Sequence, residues 1–204
     1  MADNFNILDF NNSRIKNTGA VTSYAPGGYT WKDDGALQYG AISNYTVLTT
    51  GQYSGNTNVV VNGKTSVQPN ACVIDNLTGL MWNSRQAASI GPASNGLLYW
   101  DDSAGANEDI GTYATACNTA GLAGHNDWFI PDFNQLISLF DASAAATPLY
   151  NPAFSFTGAN LWTSTTYEPD TTKALAFNYN TLATLIGLKN TATLYVITVR
   201  KIFF

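Results

Sequence analysis

Short runs of β-branched and aromatic residues, separated by tight turns, constrain the fold of this chain more than any other feature. The plainest case is Asn62-Gly63, which stands between the runs NVVV and KTSV. Asn-Gly between such runs is the strongest short-range signal for a β-hairpin. A second hairpin is predicted over 72–82, with its turn at 76–79. We expect antiparallel strands, because parallel strands need crossover connections of about a dozen residues or more.

Two segments have the spacing of amphipathic helices. The first spans 109–120 and is followed by Gly121, a residue type that often ends helices. The second spans 132–142 and begins with Asp132 and Gln135 at the spacing of a capping box. The apolar positions are Ile110, Ala114 and Cys117 in the first helix and Phe133, Leu136, Ile137 and Phe140 in the second.

After residue 149 the chain returns to strand-like runs, with turns predicted at Gly187 and Asn190. The order is therefore strands, two helices, and then strands up to the last residues. Helices kept apart from antiparallel hairpins are typical of an α+β fold and disfavour a doubly wound parallel sheet.

Charged residues make up only 11% of the chain, against roughly 25% in an ordinary soluble domain. Asn, Thr, Ser, Gly and Tyr take their place, as in many extracellular adhesive and virion proteins. The net charge of -5, with nine scattered Lys and Arg residues, argues against a nucleic-acid partner. The absence of a long apolar run argues against membrane insertion.

Enzymatic chemistry also loses support. One His and two Cys leave little for a transition-metal site or a His-based triad, so we assign no catalytic residue, no metal ligand and no cofactor. The most acidic stretch contains Asp101, Asp102, Glu108 and Asp109. We interpret it as a solvated loop before a helix N-terminus, where acids favour the dipole. A calcium site is the alternative that the same oxygens allow.

Several blocks, in order, resemble the DUF1566 family, also called the Lcl C-terminal domain family. They begin at 18–24 and 33–38 and end with Val199-Arg200. The central blocks are DNLTGLMW at 75–82, GHNDWFIP at 124–131 and LWTSTT at 161–166.

This resemblance implies a C-type lectin-like fold over 18–204, with two helices and antiparallel hairpins. Residues 43–69 are interpreted as an inserted hairpin region, and residues 1–17 as an N-terminal arm or virion anchor. Such families mostly bind rather than catalyse, and they are related to phage receptor-binding proteins.

The resemblance also implies a disulfide between Cys72 and Cys117, with two buried free thiols as the alternative. Trp82, Trp128 and Trp162 fall in scaffold blocks, so we expect them in the core. Trp31 and Trp100 stay available as stacking platforms for sugars.

The C-terminal third has the Tyr, Asn and Thr composition of recognition surfaces. In the receptor-binding relatives this region faces the target; the alternative is a solvated strand face without a ligand. The predicted ligand-binding residues are Tyr167, Asn178, Tyr179, Asn180, Thr181, Asn190 and Tyr195.

We therefore expect a non-enzymatic phage virion protein: a tail fibre tip, a receptor-binding protein or a capsid decoration. The start of the chain carries no export signal, which favours assembly in the host cytoplasm. The expected partners are other virion proteins, through the arm, and a host surface glycan or protein; a homo-oligomer stays open. The alternatives are a purely structural virion protein and a surface-glycan hydrolase.

Overall fold

The computed structural model describes residues 44–102, 105, 107–139, 154–156, 158 and 160–202. The predicted arm at 1–17 and Trp31 lie outside the described residues. In the described part the protein is a mixed α and β structure with mostly antiparallel strands, two α-helices and no closed barrel. The α+β expectation is thereby confirmed at this level.

Eleven strands are seen in the described residues, and they form four sheets. Their orders are β1-β4-β5-β11, β2-β3, β6-β10 and β7-β8-β9. The strands are β1 (Tyr45–Leu48), β2 (Asn56–Val61), β3 (Lys64–Pro69), β4 (Cys72–Asp75), β5 (Leu80–Asn83), β6 (Leu98–Tyr99), β7 (Asn160–Thr166), β8 (Lys173–Asn178), β9 (Ala183–Leu188), β10 (Thr193–Leu194) and β11 (Val199–Lys201).

Both predicted hairpins are present. Asn62 and Gly63 connect β2 to β3 with φ of 47° and 71°, as a tight hairpin turn with positive φ at both central residues requires. The second hairpin joins β4 to β5. In the described residues 44–69, β2 and β3 pair with each other, and β1 lies against β4 in the four-stranded sheet.

The first helix, α1 (Ile110–Thr119), agrees with the prediction. Asp109 caps it by accepting a hydrogen bond from Thr112 N at 2.7 Å. Gly121 follows the helix with φ 65°, the left-handed conformation that favours glycine at helix ends.

The second helix, α2 (Phe133–Ile137), has the predicted capping box but ends earlier than expected. Ser138 follows it, and its hydroxyl donates to Gln135 O at 2.7 Å, a local bond that competes with helix continuation. Ile137, predicted to be part of the apolar stripe, is exposed. Phe140 and the rest of 140–142 lie outside the described residues.

The predicted turn at Gly187 is wrong, because this glycine lies inside β9. A Cβ at Gly187 would lie 2.4 Å from Cη2 of Trp162. The glycine therefore makes room for an indole ring, whereas the turn predicted at Asn190 is present.

Two apolar clusters form the core. The first surrounds Trp162 and Tyr113, and the second surrounds Trp82 and Leu136. The scaffold tryptophans Trp82, Trp128 and Trp162 are all buried, as predicted. No helix in the described part of the chain is long and apolar enough to cross a membrane.

Candidate functional site

The three-stranded sheet β7-β8-β9 carries most of the predicted contact residues, and its turns alternate between two ends. One end, the Tyr167 end, consists of residues 99–101, 166–173 and 188–191. The other, the Asn180 end, consists of residues 178–182. Because β8 has six residues, the two ends lie about 17 Å apart. The predicted ligand-binding residues are therefore divided between the two ends and do not form one continuous surface on the chain.

At the Tyr167 end, backbone hydrogen bonds join three segments that are distant in sequence. Trp100 N and Asp101 N both donate to Lys189 O, at 3.1 and 3.0 Å, and Lys189 N donates to Thr172 O at 3.0 Å. Tyr167 N donates to Lys173 O at 2.9 Å and closes the adjacent turn. The loops at this end are consequently held in one arrangement by their own backbones.

Side chains reinforce this arrangement around Trp100. Its indole Nε1 donates to Thr163 O at 2.8 Å, and Nζ of Lys189 lies 4.0 Å from the ring centroid. The same Nζ donates to Thr166 Oγ1 at 2.9 Å. Trp100 is thus partly buried, and its edge and one face of its ring are in contact with the protein. The expected stacking platform is therefore limited to the part of the ring that these contacts leave open.

The turn that carries Tyr167 is also ordered by side chains. Asp170 accepts a hydrogen bond from Thr172 Oγ1 at 2.6 Å and pairs with Lys173 Nζ at 2.9 Å. These hydrogen bonds lower the pKa of Asp170 to about 2. Tyr167 is half-buried and Asn190 exposed, so both can reach a ligand.

At the Asn180 end, Asn178 builds the turn. Its Oδ1 accepts from Asn180 N and Thr181 N, both at 2.8 Å, and its Nδ2 donates to Asn160 Oδ1. Asn178 therefore uses its amide inside the protein, which removes it as a free contact. The side chains of Asn180 and Thr181 are exposed.

Of the other predicted tyrosines, Tyr179 does not lie on the surface as expected, whereas Tyr195 is half-buried like Tyr167. Tyr179 is fully buried, and its hydroxyl donates to Leu136 O. It shares a strand face with Phe177, whose ring centroid lies 4.9 Å away, and α2 covers this face. Tyr195 is half-buried against the second cluster, and its carbonyl accepts from Trp162 N. Tyr179 was predicted as a contact residue from the composition of the C-terminal third, which does not distinguish a covered face from an exposed one.

The acidic stretch has internal partners. Asp102 accepts from Glu108 N at 3.1 Å, and Asp109 caps α1. Both Asp102 and Glu108 are buried, so the expected solvated loop is wrong for these two residues. In the described part of the chain, no group of three or more His, Cys, Asp or Glu residues could hold a metal ion.

The partner of Glu108 is Lys64, which the sequence analysis did not single out. Nζ of Lys64 lies 2.6 Å from Glu108 Oε1 and donates to Gly91 O at 2.7 Å. This pair connects the β2-β3 hairpin to the segment before α1. It is a structural contact and not a ligand site.

Cys72 and Cys117 are buried free thiols in the first apolar cluster. Burial raises the pKa of each to about 12, so neither ionises at neutral pH and neither is an activated nucleophile. Their pairing in oxidised protein stays a prediction, which a thiol count in denaturant tests.

The lone histidine has neighbours that no local pattern indicated. His125 Nε2 lies 3.2 Å from Tyr53 Oη and 3.4 Å from Gln52 Nε2. Close by, Asp127 forms a two-bond pair with Arg200, at 2.6 and 3.1 Å. Hydrogen bonds from Arg200 lower the pKa of Asp127.

The pKa of His125 is lowered from its ordinary 6.5 by burial and by the charge of Arg200, while Asp127 opposes the shift. The unfolded chain therefore takes up this proton at a higher pH than the folded protein. We expect stability to fall as the pH drops through 6.5 and to level off below the folded pKa.

Urea unfolding between pH 8 and pH 5 checks this expectation, with His125→Gln as the comparison. The variant should lose part of the pH dependence, because Asp and Glu titrate mostly below this window. Equal pH dependence in both proteins would contradict a role for His125.

Comparison with known proteins identifies a family. The model of the Lcl C-terminal domain family matches residues 71–200. No curated protein and no solved structure matches the chain. The matched range begins just before β4, ends within β11, and contains both described helices and the whole Tyr167 end. Because the match covers well over half of the chain, the protein belongs to the Lcl C-terminal domain family.

Proposed function

We propose that this protein is a non-enzymatic binding module of a phage virion that contacts a host surface glycan or protein with its Tyr167 end. The observation that carries the proposal is the hydrogen-bonded junction of three loops around Lys189. It brings Tyr167, Asn190 and Trp100 to the same end of the sheet, where Asn190 is exposed and the other two are half-buried.

Rigidity matters for the strength of binding. Ordering a mobile loop on binding costs free energy, roughly 0.5–1.5 kcal/mol for each immobilised side chain. Here the backbones of all three loops are already joined, so the cost of ordering the loop backbones is met during folding. Tyr and Asn together supply apolar contact area and hydrogen bonds, which suits polar, uncharged ligands such as sugars.

The finer assignments rest on the resemblance and the composition. We propose a C-type lectin-like fold and a place in a phage virion because the motif blocks resemble those of a family related to phage receptor-binding proteins. The low charge and the Tyr, Asn and Thr surface agree with a neutral recognition site. Other virion proteins would bind through the arm at 1–17, which lies outside the described residues.

Binding of the full chain to an array of bacterial surface polysaccharides tests the proposal. We expect one class of polysaccharide to be bound, no sugar to be released, and Tyr167→Ala to weaken binding at least about tenfold, as for an aromatic hot spot. Tyr167→Phe, which keeps the ring, should retain most of the affinity if the ring makes the contact.

Two results would contradict the proposal. Failure to bind any polysaccharide or intact bacterial cells would favour a purely structural virion protein. Release of sugar during incubation would favour a hydrolase.

A further inference from the structure

Strand β9 lies at the edge of its sheet and exposes apolar side chains. Among the described residues, no strand pairs with the side of β9 that faces away from β8, and the backbone bond on that side is from Ala192 N to Leu188 O, at 3.1 Å. Ile186 is 50% exposed and Leu188 is 44% exposed, and they alternate with half-buried residues along the strand. Natural proteins usually protect such an edge with a proline, a charge or a bulge, and β9 has no proline and no charge.

The exposed residues belong to a larger apolar strip on one face of the sheet. Ile186 lies opposite Leu175 on β8, and Phe177, two residues further along β8, is on the same face. Phe133 of α2 packs against Phe177, with ring centroids 6.1 Å apart. The described part of α2 covers this end of the face, while Ile186 and Leu188 stay exposed.

The charge pattern favours a second copy of the same strand as the occupant. Residues 174–188 contain no Asp, Glu, Lys or Arg. Two copies of this segment therefore meet without repulsion between like charges. A charged partner, by contrast, would find no opposite charge on this segment. The flanking cations already have partners, since Lys173 pairs with Asp170 and Lys189 bonds to Thr166.

We propose that β9 pairs antiparallel with β9 of a second copy, about a two-fold axis at Ile186, and forms a continuous six-stranded sheet. In this register Ile186 lies opposite Ile186 of the second copy, and Thr184 lies opposite its Leu188, so the apolar residues of both copies share one face. Such a contact is isologous and closes at the dimer. Up to about four backbone hydrogen bonds form between the two strands, because Leu188 O of each copy already accepts from Ala192 N.

The same register places Leu182 opposite Asn190 of the second copy. The Asn180 end of each copy then lies beside the Tyr167 end of the other. The two groups of predicted contact residues, separated on one copy, are adjacent in the dimer. The pairing needs no ligand, so its test is independent of the test of the proposed function.

Sedimentation velocity of the full chain, from micromolar to submillimolar concentration, tests the pairing. We expect a concentration-dependent dimer for the wild type. Ile186→Lys places two ammonium groups opposite each other and should weaken association at least about tenfold. The matched control is Val60→Lys, because Val60 is 53% exposed on another strand; this variant should dimerise like the wild type. Circular dichroism verifies that both variants are folded.

The register has its own test. An equimolar mixture of Ile186→Lys and Ile186→Glu should recover the dimer, because residue 186 faces its own copy across the axis. A wild-type chain that stays monomeric, or an Ile186→Lys variant that associates as well as the wild type, would overturn the proposal and leave the edge to another partner. A mixture that stays monomeric would overturn the Ile186 register.

Discussion

Replacement of Trp162 with alanine should lower the free energy of unfolding by about 3–5 kcal/mol, as for other buried Trp-to-Ala changes. The side chain is fully buried, and its Nε1 donates to Leu98 O at 2.9 Å. Its ring lies against Gly187, which has no side chain to fill the space that is left. The substitution therefore creates a cavity and also leaves a buried carbonyl without its donor.

Urea unfolding followed by far-ultraviolet circular dichroism measures this loss without relying on tryptophan fluorescence. Trp100→Ala is the matched control, because that indole is only partly buried and should cost less. A loss of under about 1 kcal/mol for Trp162→Ala would contradict its place at the centre of the core.

Replacement of Glu108 with alanine should cost about 2–3 kcal/mol, because it leaves Lys64 without its carboxylate. This is below the cost of breaking a fully buried pair, since the Lys64 side chain is 31% exposed and regains some water, whereas Glu108 is 5% exposed. The loss should also loosen the hairpin β2-β3 from the segment before α1.

A double-mutant cycle separates the ion pair from other effects of the substitution. In a Lys64→Met background, Glu108→Ala should cost clearly less than in the wild type. Equal costs in the two backgrounds would show that the pair contributes no coupling.

The β2-β3 hairpin precedes the matched family range and yet completes the core of the protein. Val59 and Val61 of β2 are buried in the first apolar cluster. On β3, the buried Gln68 donates to Ser66 Oγ at 2.7 Å and accepts from Asn83 Nδ2 at 3.1 Å. Buried apolar residues and a satisfied polar network both indicate a permanent part of the fold.

Elements whose signals are local were predictable from the sequence. The turn at Asn62-Gly63, the cap at Asp109 and the capping box at Asp132 all depend on residues within a few positions of one another. Gly187 was misread because its reason is tertiary: a strand glycine and a turn glycine look alike until the indole of Trp162 is placed.

The candidate site was only partly predictable for the same reason. The residue types at Tyr167 and Asn190 indicated a contact surface, but the junction through Lys189 joins segments separated by more than sixty residues, as the bond from Trp100 to Thr163 illustrates. Tyr179 is a residue type that is common on recognition surfaces. It nevertheless lies in the core, because α2 covers the face on which it stands. Composition indicates the kind of residue that binds, while packing decides which of them are accessible.

The most direct test of the central claim is the Kd of two matched double variants for the polysaccharide bound by the wild type. Tyr167→Ala with Asn190→Ala removes an aromatic ring and an amide from the Tyr167 end. Asn58→Ala with Val67→Ala removes an exposed cross-strand pair from the β2-β3 hairpin. We predict that the first weakens binding at least about a hundredfold, as the loss of two hot-spot contacts does, and that the second leaves the Kd unchanged. Equal affinities for the two variants would contradict the assignment of the Tyr167 end as the binding surface.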